Sequence, residues 1–291
     1  MSLKTRLLAV AAAGLALALP LSASAHRAWM VPSFTVLSGD GSWVTVDAAI
    51  SNTLFFPDHR AMRIDGVVAI APDGTIQKLQ NASTGQYRSV FDVQLNQAGT
   101  WKIVTASNTV TASWTEAGEI KRFRGTADDF AKAVPAGATD LKTIRGSNRN
   151  ETFVSRDKPS TEVFKPTGKG LELVPVTHPT DIVASEPATV KFLLDGKPAA
   201  GLEITLVPGG SRWRATPGDI KVKTGPDGAV TFTLPDAGMY WLNATARGGE
   251  SVPRGQAGGM GAAPAAPAPA TALAGDGFSA SYTAVIEAQR P

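Results

Sequence analysis

Short stretches of alternating apolar and polar residues recur along most of the chain after residue 33. In the first half they cover residues 34–37, 43–50, 67–70, 75–79, 87–95, 99–104 and 109–114. In the second half they cover residues 188–194, 202–207, 229–234, 239–246 and 278–287. Successive side chains of a strand point to opposite faces, so this alternation predicts half-buried β-strands. Short strands separated by Gly, Asp and Asn turns are typical of β-sandwiches. The fold expected is all-β, with two β-sandwich domains.

Two segments depart from this pattern. In residues 119–170, Thr126 is a candidate N-cap, and acidic residues in the next turn predict one short helix followed by irregular chain. Residues 151–155 of that connector read as an isolated strand. Residues 248–277 are rich in Gly, Ala and Pro and predict a disordered loop inserted between two strands. The predicted domains are therefore 26–118 and 171–291.

The amino terminus has the order of an export signal. Lys4 and Arg6 precede an apolar run over residues 7–21, and the small residues Ala23-Ser24-Ala25 follow it. Basic, apolar and small residues in this order are typical of a cleaved signal peptide. We therefore expect residues 1–25 to be removed and the protein to be periplasmic. Cleavage after Ala25 makes His26 the first residue, whose α-amine and imidazole can chelate a metal together.

Composition excludes several kinds of site. The net charge of +3 falls close to neutral once Lys4 and Arg6 are removed, so no basic excess favours nucleic acid. The chain has no cysteine, which excludes disulfides, thiolate metal sites and cysteine nucleophiles. Residues 26–291 are enough for about two domains of ordinary size.

The three histidines are the candidate metal ligands. His26 begins the expected mature chain, His59 lies in a loop after a predicted strand, and His178 lies at the entry to the second domain. Neutral imidazole is a common ligand of transition metals, and nitrogen-rich tetragonal sites suit Cu(II) or Ni(II). Convergence of the three would supply three imidazoles and one amine. Each histidine also has an interpretation without metal: His26 as part of a frayed terminus, His59 as a turn residue and His178 as a surface residue. Met30, Asp58, Glu172 and Asp181 are further candidates, each more typical of packing or of solvated surface.

Motifs for metal-free catalysis are absent from the sequence. It contains no G-x-S-x-G, no H-E-x-x-H, no phosphate-binding loop and no dinucleotide fingerprint after a strand. Asp128 and Asp129 favour the start of a helix rather than an acid–base pair. The six tryptophans could form a carbohydrate platform, but tryptophans at strand positions usually belong to the core. The sequence therefore predicts a protein that is not an enzyme.

The second half resembles transthyretin-like or carboxypeptidase-regulatory-like sandwiches. The resemblance rests on Asp195–Ile204, Thr224–Phe232 and Leu234–Tyr240, which contain the pattern G-K-P-x-x-G followed by D-G-x-x-x-F and G-x-Y. It implies a fold rather than a function.

The whole mature chain resembles the exported family called domain of unknown function 4198. The matching segments are His26–Pro32, Glu151–Ser155 and Gly170–Pro175, followed by the sandwich. The resemblance implies two β domains and a transition-metal role, since members are often described as periplasmic components of nickel/cobalt uptake systems. His26 matches the family position best, His59 corresponds loosely to a histidine-bearing loop, and His178 has no counterpart.

One departure affects the choice of metal. The amino-terminal copper/nickel motif of some nickel-uptake partners needs histidine at mature position two or three, whereas His26 would stand at position one. That geometry resembles the histidine brace of copper proteins. Three hypotheses follow: a metal-binding accessory protein that passes Ni(II), Co(II) or Cu(II) to a membrane transporter, a metal-free module that binds protein or cell-wall partners, and a histidine-brace copper oxidase.

Overall fold

The computed structural model describes residues 26–249 and 277–291. The expected signal segment, and residues 250–276 of the expected disordered loop, lie outside the described residues. Strands of the first half are β1 (Arg27–Pro32), β2 (Val36–Leu37), β3 (Ser42–Ser51), β4 (Arg60–Ala61), β5 (Val67–Ile70), β6 (Ile76–Gln77), β7 (Gln80–Thr84), β8 (Ser89–Leu95), β9 (Gly99–Glu116), β10 (Glu119–Gly125) and β11 (Thr139–Arg156).

Strands also dominate the second half. They are β12 (Leu171–Pro175), β13 (Pro187–Leu194), β14 (Lys197–Pro198), β15 (Glu203–Pro208), β16 (Ile220–Lys223), β17 (Ala229–Thr233), β18 (Gly238–Gly249) and β19 (Gly277–Ala288). The helices are α1 (Ala127–Ala133) and two 3-10 turns, Glu162–Phe164 and Ser211–Trp213. None of the described helices is long and apolar enough to cross a membrane.

The first sandwich packs a five-stranded sheet against part of a long central sheet. The five-stranded sheet has the order β1-β3-β8-β7, with β4 also pairing with β3. The alternation predicted along β3 and β8 is present, since inward residues such as Val44, Val46, Phe91 and Val93 are fully buried. They pack against Trp101 and its neighbours on β5, β9 and β11. The two alternating stretches of residues 67–70 and 75–79 are joined as a hairpin by the β5–β6 pairing.

The second sandwich packs a four-stranded sheet against the other part of the central sheet. The four-stranded sheet consists of β12, β13, β14 and β17. Its inward residues, among them Phe192 and Phe232, meet Leu206, Leu242 and Tyr282 from β15, β18 and β19. β18 and β19 pair antiparallel from Gly238 with Ala288 to Gly249 with Gly277, so residues 250–276 connect the two strands of a hairpin. The all-β fold with two sandwiches is therefore confirmed.

A single sheet joins the two sandwiches. Its order is β16-β15-β18-β19-β11-β9-β5-β6, and β11 pairs in parallel with β19 from the second sandwich and antiparallel with β9 from the first. The irregular chain expected after the short helix is found only over residues 157–170, because residues 139–156 form this 18-residue strand at the centre of the sheet. The strand expected over residues 151–155 is the last part of it. Apart from Leu141 and Ile144, its first twelve residues are polar or glycine, and half of the twelve are exposed. No alternation of apolar and polar residues therefore predicts a strand there. Main-chain pairing with β9, and from Ile144 onward also with β19, holds them instead.

The expected short helix is present. Thr126 is its N-cap, since its hydroxyl accepts a hydrogen bond from the Asp129 amide at 3.2 Å, and Asp128 and Asp129 lie in the first turn. Phe130 packs on Val110 and Trp114, which extend from β9 beyond the main core. The helix therefore covers the far end of the long strands.

A small apolar cluster closes the junction of the two sandwiches. It contains Trp29 and Leu54 from the first sandwich and Val207, Trp241 and Val285 from the second. All five are at least nine-tenths buried. The end of β3 is therefore fixed against the second sandwich.

Candidate metal site

His26 and His59 meet because the strands that follow them flank the same strand. β1 begins one residue after His26 and pairs antiparallel with β3, with Arg27 opposite Ser51. β4 begins at Arg60, one residue after His59, and pairs antiparallel with the other edge of β3 at the same end. Both strands run toward the amino end of β3, and their registers place Arg27 opposite Ser51 and Arg60 opposite Ile50, at its carboxyl end. The topology therefore brings together two histidines that lie far apart in sequence.

The two imidazole rings are stacked. Their centroids are 3.7 Å apart and their planes differ by 9°. Both residues are exposed, and no hydrogen bond from a described residue reaches either ring. Because the rings are parallel, the lone pairs of their nitrogens run side by side rather than converging. Binding of one ion by both rings requires a rotation of one ring about its side-chain torsions, which exposed residues make readily.

The loop that carries His59 is held by its neighbour Asp58. The carboxylate of Asp58 accepts hydrogen bonds from the amide of Asn52 at 2.7 Å and from the amide of Thr53 at 2.9 Å. Burial alone would raise the pKa of Asp58, but these bonds outweigh it and the net pKa is lowered. Asp58 thus stays charged and closes the loop, so its oxygens are already engaged.

Trp29 supports the other side of this loop. Its indole N–H donates to the Ser51 hydroxyl at 2.7 Å, and that hydroxyl donates to the carbonyl of Thr53 at 2.7 Å. Phe55, whose φ is +59°, meets the Trp29 ring edge-on at 5.8 Å. The loop before His59 is therefore packed against the first strand.

The second sandwich packs against the two segments that carry the histidine pair. Trp241 donates from its indole N–H to the carbonyl of Ala28 at 3.0 Å, and the Arg27 guanidinium lies 5.2 Å from the centre of the Trp241 ring. A Cβ added to Gly209 would lie 3.0 Å from the Phe55 ring. The loop between β15 and β16 therefore sits directly against the His59 loop.

This second-sandwich loop holds an arginine between two aromatic rings. The Arg212 guanidinium lies 4.0 Å from the centre of the Phe56 ring and 5.3 Å from that of the Trp213 ring. Phe56 is 41% exposed and Trp213 is 82% exposed. Phe56 precedes His59 by three residues, a span of at most about 11 Å of chain. The Phe56–Arg212–Trp213 stack is therefore a neighbour of the histidine pair.

Arg214 braces that loop. Its guanidinium donates to the carbonyl of Pro208 at 2.7 Å and to the carbonyl of Pro217 at 2.9 Å. These bonds join the two ends of the loop that carries Arg212 and Trp213. The exposed aromatic ring is thus presented on a braced segment.

His178 lies in a different environment. Its Nε2 is 2.9 Å from the Thr100 hydroxyl and 3.1 Å from the Ser160 carbonyl, and its Nδ1 is 2.9 Å from the Thr180 hydroxyl. Ser155 completes a closed ring of hydrogen bonds, at 2.9 Å from both threonine hydroxyls. Both ring nitrogens of His178 are therefore engaged by the protein.

The pKa of His178 is lowered. Burial is the largest cause, and it outweighs the Ser160 carbonyl and the charge of Asp181, which both raise the pKa. The Phe164 ring meets the imidazole edge-on at 5.3 Å. This environment favours the neutral imidazole.

Met30 and Glu172 are engaged elsewhere, and the exposed Asp181 lies in the segment of His178. Met30 is fully buried in the first core. Glu172 accepts from the amides of Thr167 and Gly168 at 2.8 Å and lies 3.4 Å from Arg149. Among the described residues, no group of three or more His, Asp or Glu side chains is placed to hold a metal ion. Among the described residues, the candidate metal ligands at the end of β3 are thus His26 and His59.

The Phe56–Arg212–Trp213 stack was not predicted from the sequence. Trp29, Trp101, Trp114 and Trp241 are buried, as expected for core tryptophans, whereas Trp43 is partly exposed and Trp213 is the most exposed of the six. The only sequence signal for Trp213 was its position between Gly209-Gly210 and Gly218, outside any alternating stretch. Contact with Phe56 depends on the packing of the two sandwiches, which no local pattern encodes.

The model described as Domain of unknown function (DUF4198) matches residues 23–248. The chain belongs to this family. Its description assigns no activity, and no curated protein matches the chain.

Two solved structures illustrate how distant the structural likenesses of this DUF4198 member are. A DUF4785 family protein from Legionella pneumophila is 12% identical, with a TM-score of 0.25, over 76% of this chain and 52% of that one. This chain thus spans about half of that protein's length. The D0-D1 domain of Intimin is 12% identical, with a TM-score of 0.20, over 89% of this chain and 97% of that one. Similarity at this level supports no statement about function.

Proposed function

We propose that this DUF4198 protein is a periplasmic accessory protein that binds Ni(II), Co(II) or Cu(II) and passes it to a membrane transporter. The observation that carries the proposal is the stacked pair of His26 and His59, which the fold brings together from separate strands. The ion is cargo, so no bond of a substrate is made or broken.

The ligands follow from the position of His26. Cleavage after Ala25 gives His26 a free α-amine beside its imidazole, and His59 adds a third nitrogen. Amine and imidazole nitrogens suit Ni(II) and Cu(II), and the Irving–Williams order favours copper among these ions. An exposed site with ligands from the protein on one side leaves room for transfer to a partner.

His178 is not part of the proposed site. Its two nitrogens already bond to Thr100, Ser160 and Thr180, and leaving those partners would strand buried hydroxyl groups. His178 thus supports the junction of the sandwiches, and the site consists of the amino-terminal pair.

The test is a calorimetric titration of processed protein. The full chain is exported, its new amino terminus is verified by mass spectrometry, and Ni(II), Co(II) and Cu(II) are titrated separately. A matched variant keeps four extra residues before His26, so that the histidine no longer carries the amine. The proposal predicts binding of at least one ion with a Kd below 1 millimolar, on the order of ten-fold or more weaker in the extended variant. Absence of binding by the processed protein would support a metal-free partner-binding module instead.

A further inference from the structure

The charges around the histidine pair are mainly positive. Arg27 and Arg60 each follow one of the two histidines, and Arg212 lies over Phe56 in the same loop region. The one acidic neighbour in these segments is Asp58, and both its oxygens accept main-chain hydrogen bonds. Among the described contacts, no ion pair neutralises Arg27, Arg60 or Arg212. Like charges repel, so these surroundings disfavour a bare dication and favour an ion that arrives with negative charge.

Arg212 is also held in a defined orientation. Its planar guanidinium stacks on Phe56 and is flanked by Trp213, on a loop that Arg214 braces. A guanidinium stacked on an aromatic face keeps its N–H edge available for a carboxylate. An oriented arginine without an acidic partner is a recognition element for an anion.

The protein ligands leave the coordination of an ion incomplete. The described residues contribute two imidazoles, and the processed amino terminus adds one amine. Four or more ligands are usual for divalent nickel and copper. Both histidines are exposed, so the remaining coordination positions are open to solvent.

We infer that this site takes its ion as a complex with an anionic polycarboxylate chelator rather than as a free hydrated ion. The inference rests on the proposed metal-binding function. His26 and His59 bind the metal, while the carboxylates of the chelator fill open positions and contact Arg212. Phe56 and Trp213 position that arginine.

The experiment uses equilibrium dialysis of the processed full-length protein with Ni(II) and carbon-14-labelled citrate, each alone and together. The inference predicts one citrate retained per bound nickel. It also predicts that nickel with citrate binds about ten-fold more tightly than free nickel, in line with a charge-assisted hydrogen bond. The variants Arg212→Gln and Trp213→Ala should lose most of this gain. Arg212→Gln also removes a positive charge near the pair, so it should bind free nickel at least as tightly as the wild type. Arg122→Gln, an exposed arginine on β10, is the matched control and should behave as the wild type.

Each other outcome is decisive. Nickel retained equally well without citrate would overturn the chelate inference and leave the proposed function intact. Citrate retained equally without nickel would show an anion site unconnected with the metal and would also overturn the inference. Retention of neither nickel nor its citrate complex would overturn the proposed function itself.

Discussion

The histidine pair at the end of β3 and His178 at the sandwich junction show two opposite uses of the same side chain. His26 and His59 are exposed, stack on each other and have no hydrogen-bond partner among the described residues. His178 is half-buried, and hydroxyl or carbonyl groups engage both its nitrogens. Nitrogens without partners are available to an ion, whereas engaged nitrogens hold the fold together.

The comparison shows why histidine count alone does not identify a site. All three residues are equally good ligands as chemical groups. Their difference arises from topology, because β1 and β4 leave two imidazoles at an open sheet end, while β9, β11 and the segment after β12 enclose the third. Four predictions test this contrast, beginning with the largest effect.

The largest effect should be the difference in metal affinity between His59→Ala and His178→Ala. Loss of a residue that only supports a metal ligand commonly lowers metal affinity by about 10–100-fold. His59→Ala removes a ligand itself, so it should lower the affinity for Ni(II) or Cu(II) by about 100-fold. His178→Ala should leave the affinity within about two-fold of the wild type, since its nitrogens do not take part. Calorimetric titration of both variants measures this. Equal losses in the two variants would contradict the contrast.

For the free energy of unfolding, the order of the two variants should be reversed, with the larger loss in His178→Ala. His178→Ala leaves the buried hydroxyls of Thr100 and Thr180 without one partner, which should lower the free energy of unfolding by about 1–3 kcal/mol. His59→Ala removes an exposed ring and should change it by less than about 0.5 kcal/mol. Urea denaturation followed by tryptophan fluorescence compares the two. A larger loss in His59→Ala would refute the structural role of His178.

His178 should also make stability depend on pH. Its pKa in the folded state lies below the unfolded value of 6.5, so the unfolded chain takes up a proton first as the pH falls. The stability due to neutral His178 is complete above about pH 6.5 and is lost as the pH falls from 6.5 toward the folded pKa. Urea midpoints measured from pH 7.5 to 5 should fall more steeply in the wild type than in His178→Gln. Parallel curves would contradict the burial of this imidazole.

The smallest effect should come from loosening the His59 loop. Asp58→Asn keeps the shape but leaves one acceptor oxygen for the amides of Asn52 and Thr53, so one bond is lost. We expect about 1 kcal/mol lower stability and an affinity for metal lowered by only about three-fold, since no ligand is removed. Asp65→Asn, an exposed aspartate that pairs with Arg63 outside this loop, is the control. A loss as large as that of His59→Ala would mean that Asp58 itself binds the ion.

Much of the fold could be predicted because neighbouring residues in the sequence determine its strands and its helix start. Strands such as β3 and β8 bury alternate residues, and Thr126 caps α1 through its own hydroxyl. The polar half of β11 could not be predicted, because it is held by main-chain pairing to two distant strands. The metal candidates were visible as residue types, but their grouping was not. His26 meets His59 only through the pairing of β1 and β4 with β3, and Arg212 reaches Phe56 only when the two sandwiches pack.

Imidazole resonances of nitrogen-15-labelled, processed protein test the central claim most directly, since the chain contains just three histidines. Long-range proton–nitrogen spectra are recorded while Cu(II) is added in steps of one-tenth of an equivalent. The account predicts that the signals of His26 and His59 broaden together and disappear first, while those of His178 persist. Loss of the His178 signals first, or uniform loss of all three, would contradict a site built from the amino-terminal pair.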